Sequence, residues 1–244
     1  MAAGKTGPAD MFISVVIPAH NEERYLGACL QALQGQSYPQ SRFEVIVVDN
    51  ASTDDTAQIA RQSGAIVVTE PRRGIGRARQ RGARAAQGEI LASTDADTIV
   101  PRDWLERIAV SFQHDDELGG LFGPFRYGDG TVFEKVLLWY LYLGLMMALQ
   151  ALGRSCFSGN NYAVRKTAFL KAGGCKVSLP AAEDVDLSWR LSEVTKVAFD
   201  RGLVVRTSAR RRGEGYGRII WRTLRSGVRM ILMQRPPYPL PVIR

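Results

Sequence analysis

The sequence predicts an α/β protein: a three-layer α/β/α sandwich around a mostly parallel central sheet. Two observations carry that prediction. Short apolar, β-branched runs alternate four times with amphipathic helical stretches, joined by short connections, which argues parallel strands with right-handed crossovers. Polar clusters at Pro18 to Glu22, Asp49 to Asp54 and Asp95 to Thr98 each follow directly on a strand-like run. In a parallel sheet they meet along one edge, where open α/β sheets bind their ligands.

Phe12 to Ile17 reads as a buried strand stopped by Pro18,. Asn21 is a candidate N-cap for a helix with Leu26, Leu30 and Leu33 at helical spacing, closed by Gly35 and Pro39,. Phe43 to Val48 is a second strand. Ser52 to Asp55 caps a helix running to Gly64, and Ala65 to Thr69 is a third strand. The stretch from Pro71 to Gly88 reads as a glycine- and arginine-rich loop feeding an alanine-rich helix. Glu89 to Thr94 is the fourth strand and leads into Asp95-Ala96-Asp97. Pro101 to His114 is an amphipathic helix, and Leu118 to Tyr127 returns as one strand. Tyr162 to Val164, Val197 to Phe199 and Leu203 to Val205 are short strands. A small helix ends at Gly173-Gly174, and another opens at Glu183 with three acids in its first turn. Gly215 to Gln234 reads as a basic helix, followed by an extended proline-rich tail.

The chain has 244 residues, 45% hydrophobic and 23% charged, an ordinary globular composition,. Its net charge is +8, with the excess concentrated between Arg201 and Arg235. That points to nucleic acid, an anionic membrane surface or a phosphorylated substrate. Three widely separated cysteines fit neither a zinc site nor a disulfide framework and suit a reducing, cytoplasmic compartment,. Residues 1–11 read as a loose leader without the apolar core of a signal peptide. Val136 to Gly153 is almost wholly apolar, at the lower edge of bilayer-spanning length,. Three readings stand for it: a buried or groove-covering helix, an interfacial helix docked on a membrane, and a span.

Several side chains are candidates for chemistry. Asp95 and Asp97, one residue apart at a strand end, offer hard oxygen donors for Mg²⁺ or Mn²⁺ and hence for a diphosphate; a turn that favours aspartate is the plainer reading. Asp49 can accept from the N–H edge of a nucleobase or merely cap a turn. Glu22 has the same two readings, with the helix dipole as the plainer one. Gly74-Ile75-Gly76-Arg77-Ala78-Arg79 is not a dinucleotide fingerprint: Arg79 stands where the third glycine belongs, and the motif follows the third strand. Its arginines face a phosphate, a base or solvent. Glu183-Asp184, at a helix start, can supply a general base. Arg210-Arg211-Arg212 can clamp a leaving diphosphate or form a solvated turn. Asn160 and Asn161 either bind sugar hydroxyls or cap a loop.

Taken in order, Val15 to Glu22, Val47 to Asp54, Gly74-x-Gly76-x-Ala78-Arg79, Asp95-Ala96-Asp97 and Glu183-Asp184-x-Asp186-Leu187-x-x-Arg190 resemble a family 2 glycosyltransferase with the A-type, nucleotide-diphospho-sugar-transferase fold. The resemblance covers Phe12 to Arg212. It implies inverting, non-processive transfer of a sugar from a nucleotide-diphosphate donor to an acceptor hydroxyl. It implies that Pro18, Ala19, Glu22, Asp49 and Arg79 line the base and ribose pocket. By the same analogy Asp95 contacts the nucleotide, Asp97 holds Mn²⁺ or Mg²⁺, and Asp184 is the base. Arg211 is expected on the diphosphate, and Asn160, Asn161 and Glu183 on the acceptor. Residues 12–115 form the donor half, 116–214 the acceptor half and 215–244 a basic appendage. Two features depart from the family: Gln80 replaces the usual Asn after the loop arginine, and the Gln-x-x-Arg-Trp signature of processive synthases is absent. The apolar stretch and the basic tail imply an amphipathic or lipid-linked acceptor and peripheral contact with an anionic membrane at the cytoplasmic face; no nucleic acid is expected. Two rivals are a nucleotidyltransferase that makes sugar nucleotides and a non-enzymatic basic module that binds membrane or RNA.

Overall fold

The computed structural model describes residues 11–128, 132–179 and 182–208. The first four strands, β1 (Ile13–Ala19), β2 (Phe43–Asp49), β3 (Ile66–Thr69) and β4 (Ile90–Ser93), are parallel and lie in the order β3-β2-β1-β4. The chain winds outward from β1 through β2 to β3, then crosses back to pair β4 on the other side of β1. That reversal makes the β1/β4 boundary the topological switch point, where such sheets open a crevice.

Alternate residues of β1 serve opposite layers, which is why the strand is apolar throughout. Ile13, Val15 and Ile17 pack with Leu26, Leu30 and Leu33 of α1 (Leu26–Gln34) and with Trp104, Ile108 and Phe112 of α4 (Trp104–His114). Each buried leucine contributes about 2 kcal/mol. Val16 faces the other way, toward Ala78 and Ala83 of α3 (Ile75–Ala85) and the layer that holds Leu187 and Leu191 of α7 (Glu183–Ser192).

Beyond β4 the sheet continues through β8 (Tyr162–Arg165), β6 (Leu118–Phe122) and β9 (Lys196–Phe199) to seven strands, with β8 antiparallel to both neighbours. A second sheet of three strands joins β5 (Thr98–Ile99), β10 (Val205–Thr207) and β7 (Phe125–Tyr127).

The structure corrects four local expectations. Leu118 to Tyr127 is two strands in two sheets, split at Gly123-Pro124, because proline has no N–H to continue the ladder,. The last short strand is Val205–Thr207 instead of Leu203 to Val205. The arginine-rich stretch is helical from Ile75, so Arg79 sits on a helix. Asn21 is not an N-cap: it has φ 55°, and α1 begins at Leu26 behind Tyr25. Instead Asn21 Oδ1 accepts the Thr53 N–H at 2.8 Å, tying together the loops after β1 and β2.

The apolar stretch forms α5 (Val132–Ala151), which buries Met146 and Leu149 and leaves a second face in solvent. Among the described residues no helix is long and apolar enough to cross a membrane. Most of the leader, Arg210 to Arg212 and the expected helix and proline-rich tail lie outside the described residues.

Candidate active site

The register of the sheet assembles the site. Ala19 pairs with Asp49, and Val16 with Ser93, so Pro18-Ala19, Asp49 and Asp95 to Asp97 leave the sheet along one edge beside the switch point. Asp49 Oδ1 accepts the Ser52 N–H at 3.1 Å. Asn50, which sequence reasoning passed over, pins the loop ahead of α3: its Nδ2 donates to the carbonyls of Glu70 (2.9 Å) and Arg72 (2.8 Å), and its Oδ1 accepts the Gly74 N–H at 2.8 Å. His20 Nδ1 lies 2.8 Å from the Asn50 carbonyl. Among the described residues the non-glycine positions with positive φ are Asn21 (55°), Ala51 (58°) and Ala182 (61°). All three flank site residues, where backbone strain held by surrounding structure tends to collect.

Arg79 is the hub. Its side chain is 3% exposed; Nη2 donates to Asp95 Oδ1 at 2.8 Å and Nη1 to Glu183 Oε1. A buried guanidinium is tolerable only when paired. Burial opposes its charge, but Glu183 and Asp95 outweigh that and raise its pKa well above the ordinary value. Two glycines make the room. A Cβ on Gly159 would strike the guanidinium, and one on Gly76 would lie 2.9 Å from the Lys176 carbonyl. Arg79 therefore joins the Asp95 loop to the first turn of α7.

Asp184 is the next residue of that turn. It is half-buried, and its Oδ1 accepts the Val185 N–H at 2.8 Å. Burial first, then the Glu183 carboxylate, push its pKa up to about 7 against the opposing pull of Arg79. A carboxylate that titrates near neutrality is well matched to proton abstraction.

Asp97 lies on the same side. Burial first, then the charges of Asp97, Asp95 and Glu22, drive the Cys29 thiol of α1 far above its ordinary pKa. Thr207 Oγ1 lies 3.4 Å from Asp97 Oδ1, and the Ser208 N–H donates to the Asp97 carbonyl at 3.1 Å. Among the described residues no cluster of three His, Cys, Asp or Glu side chains forms a closed metal cage. Two neighbouring carboxylates without a cage fit Mg²⁺ or Mn²⁺, which take one or two carboxylates and complete their shell with phosphate oxygens and water.

Pro18, Ala19, Asp49, Asp95 and Asp97 thus leave one edge of the sheet, and Arg79 links Asp95 to the turn that carries Asp184. The expected acceptor residues are placed otherwise. Asn161 is fully buried with its amide spent: Oδ1 accepts Trp104 Nε1 at 2.9 Å, while Nδ2 donates to the carbonyls of Pro124 (3.0 Å) and Leu203 (2.6 Å). It is a bracket that holds the strand break, with no donor left for a sugar. Asn160 is 5% exposed, and its Oδ1 accepts Ser158 Oγ at 2.8 Å. Glu183 is 2% exposed and faces Arg79. Arg79 reaches no base pocket directly, because both carboxylates occupy it. Arg211 lies outside the described residues.

Tyr142 of α5 was not singled out from the sequence, where it is one aromatic in an apolar run. Its hydroxyl is buried without a hydrogen-bond partner among the described residues. Burial, then Cys156, Tyr127 and Asp184, raise its pKa well above the ordinary value. A buried hydroxyl with no partner among the described residues marks room for a polar atom,.

Comparisons with known proteins bear on the family and the fold. Residues 14–173 match the model of glycosyl transferase family 2. Glycosyltransferase AglE of Haloferax volcanii is 41% identical over 133 residues, 51% of this chain and 43% of the relative. The beta-monoglucosyldiacylglycerol synthase of Synechocystis sp. is 31% identical over 200 residues, 73% of this chain and 40% of the relative. The chain thus spans less than half the length of these two relatives. Mannosyltransferase PcManGT from Pyrobaculum calidifontis, solved in complex with GDP-Man and Mn²⁺, superposes with a TM-score of 0.74 at 24% identity, over 94% of this chain and 66% of that one. That likeness establishes the A-type glycosyltransferase fold. With the family match covering well over half of its residues, the chain belongs to glycosyl transferase family 2.

Proposed function

We propose that this protein transfers a sugar from a nucleoside-diphosphate donor to an acceptor hydroxyl, with inversion at the anomeric carbon. The observation that carries the reading is Asp184, set at the head of α7 and tied through Glu183 and Arg79 to Asp95 at the sheet edge. Asp49 accepts from the base, and Pro18, Ala19 and Glu22 line the base and ribose. Asp95 meets the nucleotide. Asp97, with Asp95 beside it, holds Mn²⁺ or Mg²⁺, which when bound neutralises charge on the departing diphosphate. Asp184 takes the acceptor proton. The acceptor oxygen then bonds to the anomeric carbon as the bond to the diphosphate oxygen breaks, and a single displacement inverts the centre.

Further observations support the reading. The solved mannosyltransferase holds GDP-Man and Mn²⁺ on the same fold. Arg211 is the residue expected to clamp the diphosphate. The Tyr142 hydroxyl suits the acceptor side. A relative named as a diacylglycerol glycosyltransferase favours an amphipathic acceptor. All three cysteines are buried outside disulfides, which suits a reducing compartment,.

A thermal-shift screen of UDP-, GDP- and dTDP-sugars with Mn²⁺ or Mg²⁺ tests the donor, since a ligand of the folded state raises Tm by mass action. Turnover must release nucleoside diphosphate, and the product must carry the inverted anomer by NMR. Pyrophosphate release from a nucleoside triphosphate, or retention, would overturn the reading.

A further inference from the structure

We propose that the outward face of α5 docks this protein on an anionic lipid bilayer. Val136, Leu137, Tyr140, Leu141, Met147 and Leu152 are all exposed, between 38% and 66%. Their spacing puts them on one side of the helix. The stripe runs about 24 Å at 1.5 Å per residue, and no charged residue interrupts the sequence from Val136 to Gly153.

Cations flank the helix. The Arg126 guanidinium lies 4.1 Å over the Trp139 ring, and Arg154 follows Gly153. Tryptophan and arginine beside an apolar helix face suit the headgroup level of a bilayer. The chain leaves the described part close by, where the Gly128 N–H donates to the Thr207 carbonyl at 2.9 Å, four residues before α5 begins. Residues 209–244 then carry nine arginines and one acid, Glu214. An apolar face together with a strongly basic sequence is the combination that binds anionic lipid,. A second copy is a poorer occupant. A two-fold contact would set the stripe against itself and bring two Arg126 rims together on a protein of net charge +8,.

The opposite side of α5 faces the site. Tyr142 packs its ring 4.8 Å from Phe125, and Asp184 is among the charges that act on its hydroxyl. The docking stands on the surface alone. Its consequence, an acceptor hydroxyl presented at the headgroup level, rests on the transfer reading above.

Flotation of the full chain on vesicles tests it without donor or acceptor, so its failure leaves the transfer reading intact. Vesicles of phosphatidylcholine alone are compared with vesicles containing about one-third phosphatidylglycerol. The wild type should float with the anionic vesicles and far less with the neutral ones. The L137E/L141E/M147E variant should lose at least about tenfold in partition, with Tm and oligomeric state unchanged. Should it melt early, the milder L141Q and M147Q variants carry the same comparison. Wild type that stays in solution with anionic vesicles overturns the proposal. So does a folded variant that floats like wild type, or a wild-type dimer that the variant splits into monomers without any change in flotation.

Discussion

Asp184→Asn should damage turnover and strengthen the fold, and the two effects separate with pH. The amide keeps the shape of the side chain and can still accept the Val185 N–H, but it takes no proton. Loss of a general base costs about 10² to 10⁴ in kcat, with donor affinity retained. The stability effect has the opposite sign. The folded state raises the pKa of Asp184 from 3.8 to about 7, so its charged form is disfavoured by folding. Its full contribution to stability holds below the unfolded pKa and is lost as pH rises through 7. A shift of that size corresponds to at most ~4 kcal/mol; partial exposure and the shared field of Glu183 reduce it to about 1–2 kcal/mol. For a domain of this size each kcal/mol moves Tm by about 2–4 °C. The variant should therefore melt about 2–8 °C above wild type at pH 8.5, and the gain should nearly vanish at about pH 3.5, below the unfolded pKa of 3.8,. Calorimetry at both pH values, with steady-state turnover alongside, checks both arms. In the wild type, kcat/KM should rise with pH through about 7 as the base loses its proton. A variant that melts below wild type at pH 8.5, or that turns over normally, refutes the assignment.

Three further predictions concern the same pocket. Arg79→Met leaves Asp95 and Glu183 facing each other without their cation, and should cost about 3–5 kcal/mol by denaturant unfolding; adding Glu183→Gln should recover part of it, and strict additivity would mean the three do not form one network. Asp97→Ala should abolish the Mn²⁺-dependent part of nucleoside-diphosphate binding in calorimetry while leaving the metal-free part; equal affinities with and without the substitution would remove Asp97 from the cation. Tyr142→Phe should leave stability within about 1 kcal/mol of wild type, because the hydroxyl has no partner to lose among the described residues,. It should nonetheless raise the acceptor KM more than the donor KM, and a change confined to the donor would place Tyr142 elsewhere.

The architecture is readable in the linear sequence because two-sided burial leaves a local mark. A strand covered on both faces must be apolar at every position, so Ile13 to Ile17 and Phe43 to Val48 announce themselves, and the polar residue that ends each run marks the ligand edge,. The hand of the crossovers is fixed in advance, but the reversal of strand order between β1 and β4 appears only in the fold. Asp49, Asp95, Asp97 and Asp184 were recognisable because each interrupts a periodic pattern at the end of an element.

Arg79 shows where that ends. In an arginine-rich run it reads as a solvated or ligand-facing cation; the fold buries it against Glu183, 104 residues away, and Asp95. Asn161 looks like a sugar ligand until Trp104, Pro124 and Leu203 consume its amide. Gly123-Pro124 hides inside an apolar run until two sheets claim its two sides. Periodicity, caps and motif order are properties of neighbouring residues, so the chain alone dictates the sandwich, its edge and the acids upon it. Which charge is spent inside the protein and which faces a ligand depends on partners far apart in the chain, and only their packing together decides it.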